Sequence, residues 1–83
     1  MVTTNVVVQQ SAILVTANNP DDRSWTCSIQ FNWSHEQFGT RIPGQPPVNT
    51  TAQIAPKSNG VIFTLQGAYV NIRIEGQANI SVS

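Results

Sequence analysis

The stretch WTCSIQFNW, residues 25–33, decides the fold. Apolar side chains occupy its odd positions and polar side chains occupy its even positions. A period of two residues predicts a β-strand with one face in the core and the other in water. We therefore expect one apolar face of five side chains, with at least the middle three buried: Trp25, Cys27, Ile29, Phe31 and Trp33.

The same alternation continues on both sides of this strand. It predicts strands near residues 5–10, 12–17, 52–55, 60–66, 68–75 and 78–83. Turn residues separate these runs, and Asn59-Gly60 has the form of a hairpin turn. We predict a single all-β domain over residues 1–83, a small antiparallel β-sandwich, jelly roll or barrel of six to seven short strands.

One segment, Ser34 to Thr51, shows no sustained period and is rich in Pro and Gly. Within it, Ser34 to Gln37 has the pattern of one capped helical turn. Long loops in compact domains usually carry function or form interfaces. We therefore expect a long functional loop between residues 34 and 51.

Composition narrows the possible partners. Asn, Gln, Ser and Thr make up 31 of the 83 residues, while charged residues make up 10% and cancel to zero net charge. The four basic residues are scattered singly, so the basic patch of a nucleic-acid binder is missing. A surface of neutral amides and hydroxyls suits hydrogen bonding to sugars, and it is also typical of virion and extracellular β proteins.

Residues suited to catalysis or metal binding are sparse. The chain has one cysteine, Cys27, and one histidine, His35, so we expect no disulfide within the chain, no metal cluster and no cofactor. His35-Glu36 is the only His–carboxylate pair, and no nucleophile motif accompanies it. Cys27 lies on the apolar face, where a thiol acts as a small hydrophobic group. We expect that the chain is not an enzyme.

No secretory signal begins the sequence, and no stretch approaches the roughly 20 apolar residues of a membrane span. We therefore expect no membrane insertion. The chain is expected either to act without export, in the cytoplasm or in a virion, or to be a domain excised from a longer protein.

Ligand binding, if it occurs, is expected at the turns that flank the 25–33 strand. Both tryptophans are favoured as core residues, since Trp is usually mostly buried. If one of them is exposed, we expect it to be Trp33, because it meets the long loop. The Asn18–Asp22 cluster favours an Asx-type turn over a calcium loop. The candidate ligand-binding residues are Trp33, His35, Glu36, Gln37 and Arg41 at one end, and Asn19, Asp21 and Trp25 at the other.

Self-association is expected from the small size of the domain. A chain of this length has a marginal core, and neither a disulfide nor a metal supplements it. Val6-Val7-Val8 and Ile13-Leu14-Val15 place apolar groups on both faces of their strands. A symmetric copy would cover the second face, so we predict a homo-oligomer, a trimer or a dimer.

The stretch from Ala52 to Ser83 resembles the C-terminal halves of receptor-binding head domains at bacteriophage tail tips. The resemblance rests on three runs: Ile54-Ala55-Pro56-Lys57, Val61-Ile62-Phe63, and residues 70–80 with the Gly76 turn. It covers about 32 residues. It implies a homotrimer that binds host-surface carbohydrate and has no fixed catalytic residues.

Two function classes remain open on the sequence. The first is a non-catalytic module that recognises carbohydrate or a host surface. The alternative is a structural or assembly subunit, such as a virion or scaffold component, without a small-molecule ligand.

Overall fold

The computed structural model describes all residues from 1 to 83, and they form two facing antiparallel sheets, a small β-sandwich. None of its elements is a helix long and apolar enough to cross a membrane. The predicted all-β class is confirmed. The seven strands are β1 Thr3–Val8, β2 Ala12–Asn19, β3 Trp25–Gln37, β4 Thr40–Pro43, β5 Val48–Ile54, β6 Ser58–Gln66 and β7 Val70–Val82.

The two sheets differ in size and in organisation. The first sheet has the order β1-β2-β6. The second is built around β3, which pairs with β7 along one side. On its other side β3 pairs with β5 through its first half and with β4 through its last four residues. Three strands therefore depend on β3 for their hydrogen bonds.

Strand β3 sets the length of the molecule. Its 13 residues span about 43 Å at 3.3 Å per residue, and the longest dimension of the chain is 48 Å. The predicted alternation is confirmed: Cys27, Ile29, Phe31 and Trp33 are buried, and Trp25 is half-buried.

The core lies between this face of β3 and the inner face of β2. Ile13, Val15 and Ala17 of β2 meet it, and Ile54 of β5 and Ile72 of β7 complete the buried cluster. Only 13 of the 83 residues are buried, so the core is one thin layer, as expected for a domain of this size.

The predicted long loop from Ser34 to Thr51 is wrong. Strand β3 continues to Gln37, so Ser34 to Gln37 is extended rather than helical, and Ser34 is buried in the sheet instead of capping a turn. Strands β4 and β5 fill most of the remainder. The Pro and Gly residues that hide the period occupy the short connections and strand ends, where they interrupt no ladder.

The C-terminal third also differs from prediction. Residues 70–82 form one strand, not two, because Gly76 (φ 76°) makes a bulge opposite β3 rather than a turn. Asn59-Gly60 lies inside β6 and is not a hairpin turn. The chain passes from β5 in one sheet to β6 in the other through residues 55–57.

Removing the Phe31 ring should strongly destabilise the fold. Phe31 is buried and meets Phe63 of the opposite sheet edge-on, with ring centroids 6.4 Å apart. We expect Phe31→Ala to lower the free energy of unfolding by about 3–5 kcal/mol, the usual cost of deleting a core aromatic. Chemical denaturation followed by circular dichroism measures it. The neighbouring Asn32→Ala, on the exposed face, should change stability little, and equal effects would contradict the assigned core.

Candidate functional site

The structure places the predicted site residues at two opposite ends of β3. Trp25 and Trp33 are eight residues apart, or about 27 Å along the strand. We call the end around Asn19–Trp25 the proximal end, and the end formed by residues 33–41 and 67–71 the distal end. The two groups therefore cannot line one site within a single chain.

At the proximal end the candidate residues are occupied by contacts within the chain. The Asn19 amide donates to the carbonyls of Arg23 and Ala55, both at 2.9 Å, and its oxygen accepts from the Asp21 backbone N–H at 2.9 Å. Asn19 is 1% exposed. These bonds form the expected Asx-type turn and tie both crossings between the sheets together. Asn19 is thus a structural residue, which corrects its prediction as a ligand contact.

Trp33 is the more buried of the two tryptophans, which corrects its choice as the exposed one. Trp33 is 3% exposed, whereas Trp25 is half-buried with the Arg23 guanidinium 3.5 Å from its ring centroid. Trp33 is therefore a core residue that supports the distal end, and its ring is not a free surface for a ligand.

The connection between β4 and β5 encloses Trp33. The Trp33 indole N–H donates to the Pro46 carbonyl at 3.0 Å, and the Gly44 N–H donates to the Trp33 carbonyl at 2.7 Å. A Cβ on Gly44 would stand 2.1 Å from the indole ring. Only glycine fits at position 44, so the Pro/Gly-rich connection between β4 and β5 packs closely around Trp33.

An aromatic cluster continues from Trp33 toward the tip. The Tyr69 ring lies 4.8 Å from the Trp33 ring and 5.0 Å from the His35 ring, measured between centroids. Tyr69 belongs to the β6–β7 connection. It and His35 are both half-buried, so part of each ring stays accessible.

His35 and Glu36 do not act as a pair. They are consecutive residues of a strand, so their side chains point to opposite faces of the sheet. The Glu36 carboxylate accepts from Arg41 at 3.3 Å and from the Asn71 amide at 3.1 Å. Arg41 also donates to the Asn71 carbonyl. This bridge joins β3, β4 and β7 at the distal end.

The most unusual residue of the distal end is Phe38, which the sequence analysis did not select. Phe38 and Gly39 form the two-residue loop between β3 and β4, and both have positive φ, 51° and 75°. Turns of this kind favour Asn-Gly, because in the left-handed conformation the Cβ of most residues lies too close to the following carbonyl oxygen. Phe38 is also 98% exposed, so the chain presents an aromatic ring where both conformation and solvation disfavour it.

A groove of about 370 Å³ lies beside this turn. Two aromatic rings flank it, Phe38 and Tyr69, and Val70, half exposed, adds apolar surface. His35, Glu36 and Gln37 line the same groove. Three of the five predicted residues of this end therefore meet here, while Arg41 binds Glu36 and Trp33 packs against His35 and Tyr69.

One thiol and one carboxyl group have shifted pKa values. Burial raises the pKa of the Cys27 thiol, which is fully enclosed in the core. Hydrogen bonds from Arg73 hold the pKa of the exposed Glu75 carboxyl below its usual range. No three His, Cys, Asp or Glu side chains lie together as a metal centre would require.

Comparison with known proteins gives no further guide. No protein-family model, no curated protein and no solved structure matches the chain. The resemblance to phage tail-tip heads therefore stays a prediction.

Replacing Gly44 should displace Trp33. A Cβ at 2.1 Å from the indole forces the ring or the loop to move, and such overpacking typically costs about 1–3 kcal/mol. We expect Gly44→Ala to lower stability by that amount and to change the near-ultraviolet circular dichroism of the aromatic cluster. Gln45→Ala, next in sequence and exposed, should do neither.

Replacing Phe38 by Asn should stabilise the protein. Asn tolerates the left-handed conformation that costs other residues about 1–2 kcal/mol, and each 1 kcal/mol gained raises the melting temperature by about 4–8 °C in a domain of this size. Phe38→Ala keeps most of that penalty and should leave the melting temperature nearly unchanged. A lower melting temperature for Phe38→Asn would show that the ring makes a stabilising contact.

Proposed function

We propose that this chain is a non-catalytic binding module that recognises carbohydrate at its distal end. The observation that carries the proposal is Phe38, a fully exposed ring held in a strained turn beside the groove. Strain and solvent-exposed apolar surface that a fold maintains at its own cost point to a binding role.

The groove offers the two kinds of contact that a sugar requires. Phe38 and Tyr69 present aromatic surface to the apolar C–H face of a pyranose ring. His35 and Gln37, which share one face of β3, offer donors and acceptors to its hydroxyls. A few polar groups around an apolar floor are typical of small-ligand sites.

Charge favours a neutral ligand. The Glu36 and Arg41 side chains neutralise each other, and the chain has zero net charge. A phosphorylated ligand would meet no surplus of positive charge at this end. The divergence of His35 and Glu36 removes the one acid–base pair that the sequence offered, which supports binding without catalysis.

The alternative is an assembly subunit in which Phe38 docks into a pocket of another protein. The same exposed ring supports it. The two proposals differ in the ligand alone, so a direct test for carbohydrate separates them.

A glycan array with the labelled chain tests the proposal. We expect wild type to bind at least one glycan, and Phe38→Asn to bind it about 30-fold more weakly, the loss that follows from removing an anchor worth about 2 kcal/mol. Because Phe38→Asn is expected to fold more stably, weaker binding cannot come from unfolding.

Two controls locate the site. Val61→Asn removes an exposed apolar side chain from the opposite sheet, and Arg23→Ala alters the proximal end. Both should bind as wild type does. If wild type binds no glycan, the carbohydrate proposal is wrong; if Arg23→Ala alone loses binding, the site lies at the proximal end.

A further inference from the structure

The outer edge of β1, residues Thr3–Val8, is an open β-sheet edge. Strand β1 pairs only with β2, in one continuous register from Thr3↔Asn18 to Val8↔Ile13. The backbone groups on its other side have no strand partner. Such an edge is a ready template for another strand unless the sequence protects it.

Two of the other edges carry the usual protection. The β7 edge is bulged at two places and bears Arg73 and Glu75. The β6 edge has a bulge opposite Val15 and Thr16. Bulges and charges of this kind prevent edge-to-edge pairing in natural sheets.

Strand β1 has none of these features. Its sequence TTNVVV contains no charge, no proline and no bulge, and it ends in three β-branched valines. Strand β5 is also unprotected, but its residues are mainly Asn, Thr and Gln. Of the two, β1 offers the more apolar side chains to a pairing strand.

Apolar side chains beside this edge lack cover in the single chain. Val8 is 47% exposed, and Val7, on the outer face opposite Leu14, is only half-buried. Val61 extends the same outer face and is 56% exposed. A neighbouring strand would cover Val7 and Val8 while it satisfied the free backbone groups.

We propose that β1 pairs antiparallel with β1 of a second copy across a two-fold axis, which joins the two three-stranded sheets into one of six strands. In a register with Val6 of one copy opposite Val6 of the other, Thr4 meets Val8 and Asn5 meets Val7. This register keeps core-facing residues opposite core-facing residues. An isologous contact of this type closes at two copies.

The pairing sets the direction of the two distal ends. The carbonyl of Gln10, just after β1, accepts from the Ile72 N–H, and Ile72 lies beside the His35–Glu36 part of β3. Strand β1 therefore runs toward the distal end. Antiparallel pairing turns the two distal ends away from each other, so a dimer carries its two grooves at opposite poles. With a groove at each pole, the dimer would bridge two glycans. That bridging rests on the proposed carbohydrate site, whereas the β1 pairing does not.

Sedimentation of charge-matched variants tests the pairing. Thr3→Lys/Asn5→Lys adds two charges to exposed outer-face positions of β1, and Thr64→Lys/Gln66→Lys adds two to exposed positions of β6 on the same face. We expect wild type and the β6 variant to form dimers that dissociate on dilution, because a six-residue ladder is at the weak end of specific interfaces. The β1 variant should stay monomeric.

Three outcomes would overturn the proposal. A wild-type chain still monomeric at about 1 mM has no such interface. A trimer contradicts the two-fold axis. Loss of the dimer in the β6 variant but not in the β1 variant places the interface on the other edge.

Amide hydrogen exchange gives a second measurement that no folding defect can imitate. In the dimer the outward amides of residues 3–8 gain partners, so their exchange in wild type should slow as concentration rises, and that of β5 should not. Unchanged exchange in β1 contradicts the pairing.

Beads coated with an array glycan that wild type binds should clump with wild type and not with the β1 variant. If no glycan binds, only the carbohydrate proposal fails.

Discussion

The structure depends on burying one face of β3. Cys27, Ile29, Phe31 and Trp33 supply four of the nine residues in the buried cluster. Every other strand of that sheet forms its hydrogen bonds on β3, and the opposite sheet packs β2 onto the same row. A change on this face would therefore weaken the core packing and the strand pairing at the same time. This coupling is why so thin a core can unfold cooperatively.

The distal end is built where this packing gives way to loops. Trp33 is the last fully buried residue of the row, and Tyr69 from a connection, rather than a strand of the first sheet, covers it and His35. Gly44 and Pro46 hold Trp33 from the other side. A rigid base of this kind allows the β3–β4 turn to keep Phe38 in an unfavourable conformation, because the paired strands on each side fix the turn.

Much of the fold could be predicted from period alone, and the failures come from Pro and Gly positions and from contacts distant in sequence. The alternation predicts β1, β2, β3 and β6 near their observed positions. Between residues 34 and 51 it is interrupted by Pro and Gly residues, some of which pack around Trp33. Gly76 has the sequence pattern of a turn, because the sequence does not distinguish a bulge from a chain reversal. The sequence favours Trp33 over Trp25 as the more exposed tryptophan, because the residues that cover Trp33, 44–46 and 69, lie far from it in the sequence. The sequence does contain a signal for Phe38. Phe38-Gly39 is the two-residue loop between the strands that end at residue 37 and begin at residue 40, a position where Asn-Gly is usual.

The thin core and the open β1 edge have a common origin. A chain of 83 residues cannot enclose three valines in sequence within one layer of core. Val6 faces the core, so Val7 must face outward, and Val8 lies at the margin of the sheet. If β1 served only the single chain, a polar residue at 7 or a charge at 8 would protect the edge without loss of the Val6 contact. The valines are therefore better explained by a contact outside the single chain than by its own core, and the proposed β1–β1 pairing would provide that contact without lengthening the chain.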